Sequence, residues 1–217
     1  MYLLVCATEL EMRPFRELVG GMRGADYLIT GVGLVETTLA LSKYLGAGLS
    51  GISNVINFGT AGAYMDSGTG LLDICVARKE VLGDLGICFH DHLEPFDEST
   101  LPVRTRFDLN TQLLSRAVKI LDQNNIRFRE GTFVTVNSAS GTTGRGEYLR
   151  DTHHALCENM EGAAVARVCL EYSIPCLEIR CISNMVEDRD TSKWQLTKAC
   201  RTCAETVSKL LTDLNPA

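Results

Sequence analysis

The run Glu158-Asn159-Met160-Glu161-Gly162-Ala163-Ala164-Val165-Ala166 is followed, beyond Pro175, by Glu178-Ile179-Arg180-Cys181-Ile182-Ser183-Asn184, and together they decide the fold. The first run opens a helix over Met160–Tyr172 whose small residues permit close packing against a sheet. The second belongs to an apolar strand over Pro175–Ile182 that ends on an amide. A helix feeding a buried strand is half of a βαβ unit. Outward from this pair the same alternation continues. Strands are expected at Tyr2–Ala7, Tyr27–Thr30, Val55–Phe58, Leu71–Arg78 and Phe128–Val136. Helices are expected at Glu9–Val19, Val35–Leu45, Asn110–Asn124, Gly146–Arg150 and Trp194–Leu214. The pattern predicts one α/β domain over residues 1–217, three layers (α/β/α) around a central mixed, mostly parallel sheet, without linker, repeat or low-complexity segment.

Composition narrows the function. Hydrophobic residues make up 45% of the 217 positions and charged residues 22%, an ordinary globular balance. The net charge of −6 and the absence of a basic block argue against nucleic-acid binding. No apolar run reaches the roughly 18 residues of a membrane span. The first residues run straight into Glu9 and Glu11 and read as a strand rather than a signal peptide. Nine cysteines, an odd number, suit reduced thiols in a cytoplasmic protein. Cys200 and Cys203 form a C-x-x-C, but no second pair accompanies it. His90-Asp91-His92 likewise lacks a third partner, so neither pattern is assigned a metal.

Sheets of this kind take ligands beyond their strand ends, so the residues just past each strand carry the functional signal. Glu9 and Glu11 come after the first strand; both could be solvated first-turn acids, or Glu11 could be a general base for water. Gly31-Val32-Gly33 comes after the second, but Glu36 occupies the third glycine position of a dinucleotide fingerprint. Gly59-Thr60-Ala61-Gly62 comes after the third and offers backbone N–H groups and a hydroxyl, or a tight turn only. Glu161, at a helix start, is an acceptor for a vicinal diol such as that of ribose, and Met160 beside it can lie under a sugar ring. Arg180, inside an apolar strand, needs a carboxylate partner or an anionic ligand. The Gly-, His- and Asp-containing stretch from Glu80 to Pro102 reads as a functional loop or lid. Asp188-Arg189-Asp190 is either a self-paired loop or a lid over Asn184, and Asp190 or Ser192 caps the helix near Trp194.

Taken in order, Thr-Glu-Leu-Glu after the first strand, Gly-Val-Gly, Asn-Phe-Gly-Thr-Ala-Gly, Asn-Met-Glu-Gly-Ala-Ala and Arg-Cys-Ile-Ser-Asn resemble the nucleoside phosphorylase/nucleosidase superfamily over nearly the whole chain. Within it the chain resembles the nucleosidase branch, which includes the methylthioadenosine/S-adenosylhomocysteine nucleosidases. It resembles the futalosine hydrolase family more closely, through Gly83-Asp84-Leu85-Gly86, Ser140-Gly141-Thr142 and Ser183-Asn184-Met185-Val186-Glu187-Asp188-Arg189-Asp190 followed by Trp194.

The resemblance implies hydrolysis of the futalosine N-glycosidic bond, releasing hypoxanthine and dehypoxanthine futalosine on a route to menaquinone. It implies no cofactor and no metal, a purine nucleoside and water as small-molecule partners, and a homo-oligomer. By position, Glu11 matches the water-activating glutamate, Arg180 an arginine of the catalytic pocket and Asn184 the residue that contacts the purine. Glu161 matches the ribose-binding glutamate, with Asn159 and Met160 beside it. Thr60, Ala61 and Gly62 match the turn near the nucleophile, and Ser140, Gly141 and Thr142 the base pocket. Adenine-specific relatives carry aspartate in place of Asn184 and an aromatic–aliphatic pair near Gly141 and Thr142. An amide can donate to O6 of hypoxanthine and accept from a protonated N7, whereas an ionised aspartate would face two acceptors. The same resemblance places an aromatic carboxylate on the 5′ side of the substrate; a cation such as Arg104 or Arg106 is expected there, with Gly83–Pro95 lining it. Adenine nucleoside hydrolysis, phosphorolysis and non-catalytic nucleoside binding are the alternatives.

Overall fold

Thr8, the residue before the first helix, shows how locally this chain encodes its elements. Its side chain accepts from the Glu11 N–H, and the Glu11 side chain accepts from the Thr8 N–H, closing a capping box. Helix α1 (Glu9–Val19) therefore starts where the sequence predicts and stops at Gly20, whose positive φ makes a left-handed cap. It comes after strand β1 (Tyr2–Cys6). The computed structural model describes residues 1–20, 24–48, 51–89, 92–97 and 99–214.

After α1 come β2 (Ala25–Ile29), α2 (Leu34–Gly46), β3 (Asn54–Tyr64), β4 (Ile74–Leu82), β5 (Gly86–Cys88), β6 (Leu93–Pro95) and β7 (Arg106–Asp108). They are followed by α3 (Gln112–Gln123), β8 (Phe128–Thr135), α4 (Thr143–His153), β9 (Ala155–Asn159), α5 (Gly162–Glu171) and β10 (Cys176–Val186). A short 3-10 turn at Thr191–Lys193 precedes α6 (Leu196–Leu214). Asp190 caps that turn by accepting from Ser192.

The sheet is mixed. Strands β2, β1, β3 and β10 are mutually parallel, as are β4, β8 and β9, and the two blocks meet antiparallel at β3–β9 and β4–β10. The pairings run from β3 through β9, β8, β4 and β10 back to β3, so five strands close on themselves. Successive residues of one strand point to opposite faces. Leu4, Cys6, Ile56, Phe58, Leu177 and Ile179 pack with α1, α3 and α6 in one cluster. Leu3, Val5, Val55, Ala61, Cys176 and Ile182 pack with α2 and α5 in another. Helix α6 buries Ala199, Cys203, Val207, Leu210 and Leu214, a 3–4 spacing that forms one apolar stripe. Cys200 and Cys203 are buried in this helix, and burial pushes the Cys200 thiol up to about 12. No described helix is long and apolar enough to cross a membrane.

Two differences from the sequence expectation bear on the site. Gly59-Thr60-Ala61-Gly62 is not a turn after a strand but the middle of β3, and Asn184 lies within β10, two residues before its end. The small side chains let β3 and β10 pair along their whole length, with a register shift at Ser183. Strand β9, absent from the expected elements, pairs with β3 at Gly62↔Glu158.

Candidate active site

Glu11 sits in the first turn of α1 and is 6% exposed. Its Oε2 accepts from Thr8 N (3.1 Å) and Thr8 Oγ1 (2.9 Å), while its Oε1 accepts from Thr60 N (3.0 Å). The capping acid is thereby pinned against β3. Gly59 makes this approach possible, since a Cβ there would lie 2.3 Å from Glu11 Oε1.

Glu161 is the residue before α5 and is equally buried. Its Oε1 accepts from Gly33 N (2.9 Å), which draws the Gly31–Gly33 loop to the site. Burial pushes this carboxyl up from its ordinary value; the Arg180 guanidinium and the Gly33 N–H pull it back part-way. The start of α5 is held from below. Asn159 Oδ1 accepts from Glu161 N (2.9 Å) and Gly162 N (2.7 Å), and Thr135 Oγ1 accepts from Ala163 N (2.8 Å). These bonds satisfy N–H groups that a helix start leaves without partners.

Arg180 is 1% exposed and lies beneath the floor rather than in the cavity wall. Its Nε donates to Glu178 Oε1 (2.9 Å), its Nη1 donates to Thr60 O (3.3 Å), and Nη1 stands 3.8 Å from Glu161 Oε2. The carboxylate partner expected from the sequence is thus Glu178. Burial alone would lower the Arg180 pKa, but Glu178, Glu161 and Glu11 more than offset it, so the guanidinium stays charged. Glu80 lies on the other side of Glu178, fully buried, and accepts from Asn159 Nδ2 (2.8 Å) and from Thr135 Oγ1. Burial, with Glu178 adding to it, pushes the Glu80 carboxyl well above its ordinary range. Both carboxyls crowd Gly162, where a Cβ would meet Glu80 Oε1 at 2.5 Å and Glu178 Oε2 at 2.6 Å. Gly162→Ala is therefore expected to cost about 1–3 kcal/mol of stability through overpacking, read from denaturant midpoints.

Asn184 of β10 and Glu158 of β9 flank Gly62 from the two strands that pair with β3 at that position. Asn184 Oδ1 accepts from Ser183 Oγ (2.8 Å), and Nδ2 donates to Met185 O (3.2 Å). Gly62 leaves the room this amide needs, because a Cβ there would lie 3.1 Å from Nδ2. Glu158 Oε1 accepts from Ser140 N (2.7 Å) and Oε2 from Ser140 Oγ (2.6 Å), tying the loop after β8 to the site. Burial raises the Glu158 carboxyl, against the pull of these two bonds.

The groups open onto one cavity of about 370 Å³. Of the twelve residues expected from the sequence, it brings together nine: Glu11, Thr60, Ala61, Gly62, Ser140, Asn159, Met160, Glu161 and Asn184. Arg180 lies below. Gly141 and Thr142 stand outside: Gly141 O accepts from Arg189 N, and Thr142 caps α4. Thr142 faces instead a second cavity of about 400 Å³, with Gly83, Asp84, Leu93, Arg145 and Tyr148. Of the segment Gly83–Pro95, expected to line the substrate's 5′ side, the described residues Gly83, Asp84, Cys88, Phe89, His92 and Leu93 border this second cavity. Arg104 borders a separate surface cleft with Arg167 and Glu171, and Arg106 is an exposed residue of β7. His90 and Asp91 lie outside the described residues, and the His92 ring stacks on Phe89 at 4.6 Å. Among the described residues no group of three candidate metal ligands occurs.

Sequence reasoning does not reach Glu158 and Trp194 as wall residues. A signal for Glu158 is present: in an extended segment it shares a face with Met160. A carboxylate able to receive a diol, a second carboxylate able to hold water and an amide able to address a heterocycle make a site for cleaving a glycosidic bond.

A family model described as the phosphorylase superfamily matches residues 4–214. The chain is 31% identical to the futalosine hydrolase of Thermus thermophilus over 221 aligned residues, covering 98% of this chain and 96% of that one. It is 27% identical to the aminodeoxyfutalosine nucleosidase of Helicobacter pylori strain J99 over 186 residues, 84% of this chain and 78% of the relative. The crystal structure of 5′-methylthioadenosine/S-adenosylhomocysteine nucleosidase from Helicobacter pylori with butyl-thio-DADMe-Immucillin-A superposes with a TM-score of 0.85 at 23% identity, covering 98% and 97% of the two chains, a likeness of fold. With a match across nearly every element that builds the cavity, the chain belongs to the phosphorylase superfamily.

Proposed function

We propose that this protein hydrolyses the N-glycosidic bond of futalosine, releasing hypoxanthine and dehypoxanthine futalosine in the futalosine route to menaquinone. The observation that carries the proposal is the convergence of Glu11, Glu161 and Asn184 on one cavity, in a chain 31% identical to a futalosine hydrolase across nearly its full length. Glu161 receives the ribose hydroxyls, with Met160 under the sugar, and stabilises the positive charge that grows on the ring as the bond lengthens. Asn184, oriented by Ser183, stabilises hypoxanthine as it takes a proton at N7 from solvent water. Glu11, held by Thr8 and Thr60, removes a proton from the water that attacks the anomeric carbon. Thr60, Ala61 and Gly62 form the floor beneath that water. Arg180 acts from below, fixing Thr60 and Glu161.

Water rather than phosphate is the nucleophile in this proposal. The described acidic and basic residues lining the cavity are Glu11, Glu158, Glu161 and Arg189, a poor cradle for phosphate. Arg13 points away, 3.9 Å from Glu17 on the exposed face of α1. Hypoxanthine release from futalosine is expected to be indifferent to added phosphate; strict dependence on phosphate would make the protein a phosphorylase.

Asn184→Asp tests the choice of base. A buried donor–acceptor mismatch costs about 1–3 kcal/mol. The ratio of kcat/KM for futalosine to that for methylthioadenosine is therefore expected to fall roughly 5- to 150-fold. An unchanged ratio would remove Asn184 as the base reader.

The two larger core clusters, on opposite sheet faces, support a three-layer description of the fold, and five parallel against three antiparallel pairings among the described strands of the main sheet support a mostly parallel one. Val32 on the cavity wall and Val35 and Leu39 of the following helix α2 are exposed apolar residues, which supports a homo-oligomer. A cytoplasmic site of action fits nine unpaired cysteines, eight of them buried.

A further inference from the structure

The cavity wall formed by the starts of α1 and α6 differs in kind from the rest. It carries Leu10, Trp194 and Leu196, and over it reaches Arg189. The Arg189 guanidinium carbon stands 4.9 Å from the centre of the Trp194 ring, a cation–π contact that orients the side chain. The neighbouring acids do not neutralise it. Asp188 Oδ1 accepts from Thr143 N (3.1 Å), Asp190 Oδ1 from Ser192 N (3.1 Å) and Oγ (2.6 Å), and Glu187 pairs with Lys193 (2.9 Å). The segment is thus not self-paired, and among the described residues Arg189 has no carboxylate partner. It is also the cavity's single cationic wall residue among those described, facing three wall carboxylates.

An anionic substrate entering such a cavity meets net repulsion unless a cation compensates. A guanidinium stacked on an aromatic face keeps its N–H groups in its own plane, free to grip a carboxylate with two bonds. We infer that Arg189, laid over Trp194, binds a carboxylate on the 5′ substituent of the nucleoside and so selects acidic over neutral 5′ groups. The inference rests on the hydrolysis proposed above and adds to it the contact that distinguishes the substrate's far end.

The test compares futalosine with the analogue whose 5′ aromatic carboxylate is a carboxamide, on wild type and on Arg189→Gln, by hypoxanthine release. A charge-assisted bond of this type corresponds to roughly 10- to 100-fold. Wild type is expected to prefer the carboxylate by that factor in kcat/KM, chiefly through KM. Arg189→Gln is expected to reduce the preference to about threefold or less, the two losses failing to add as they do for groups in contact. Arg189→Lys, which keeps the charge without the fork, should fall between. Should Arg189→Gln not fold, the wild-type KM for the carboxylate substrate is expected to rise with salt while that for the amide stays level. Full preference retained in Arg189→Gln, or salt-independence in wild type, would overturn the role of Arg189. Release of hypoxanthine from neither nucleoside by wild type would overturn the hydrolysis itself.

Discussion

Glu11→Gln is expected to lower kcat for hypoxanthine release by about 10²–10⁴-fold, with KM changed only a few-fold. The amide cannot take a proton from water, yet it nearly matches the carboxylate in shape. Glu11 now accepts three bonds, two from Thr8 and one from Thr60. The amide oxygen keeps the bonds to one side, and the NH₂ loses those to the other, a stability cost of about 1 kcal/mol. A purely structural capping acid would give the opposite result, a lowered melting temperature with turnover preserved. Steady-state kinetics and thermal unfolding on the same preparation separate the two, and near-normal turnover would remove Glu11 as the base.

The largest stability effect is expected at Glu178. Replacing it with leucine leaves Arg180 buried without its closest partner, and breaking a buried pair from one side costs about 3–5 kcal/mol. Kinetics should suffer as well, because Arg180 bonds Thr60 O and faces Glu161. Glu80→Gln is the control. Burial pushes the Glu80 carboxyl well above its ordinary range, which favours a neutral group at this position, and glutamine retains the oxygen that receives the Asn159 N–H, so a loss within about 1 kcal/mol is expected. Equal losses for the two variants in urea unfolding would show that charge does not distinguish them.

Much of the architecture was legible because its signals are local. The helix expected at Glu9–Val19 has those bounds, because Thr8 and Glu11 close a capping box at its start and Gly20 caps its end. Apolar runs with two-sided burial marked β1 and the core of β10. The failures share a cause. Gly59–Gly62 carries turn residues, yet β10 pairing overrides that preference and extends β3 through it. Strand β9 is five residues long and contains Glu158 and Asn159, so it lacks an apolar run of its own; its neighbours make it a strand.

The chemistry divides the same way. The sequence by itself determined which groups are available: a capping acid after the first strand, a carboxylate leading a small-residue helix, an amide late in the last strand. It also determined that Arg180 must be paired, since a lone buried charge is too costly. Only the tertiary structure decided that Glu178 is that partner, that Gly62 separates Asn184 from Glu158, and that Arg189 lies on Trp194 without an acid to meet it. Periodicity reports the face on which a side chain lies. Contacts between strands far apart in the chain arise from closing five of them into a ring, and no local pattern encodes that closure.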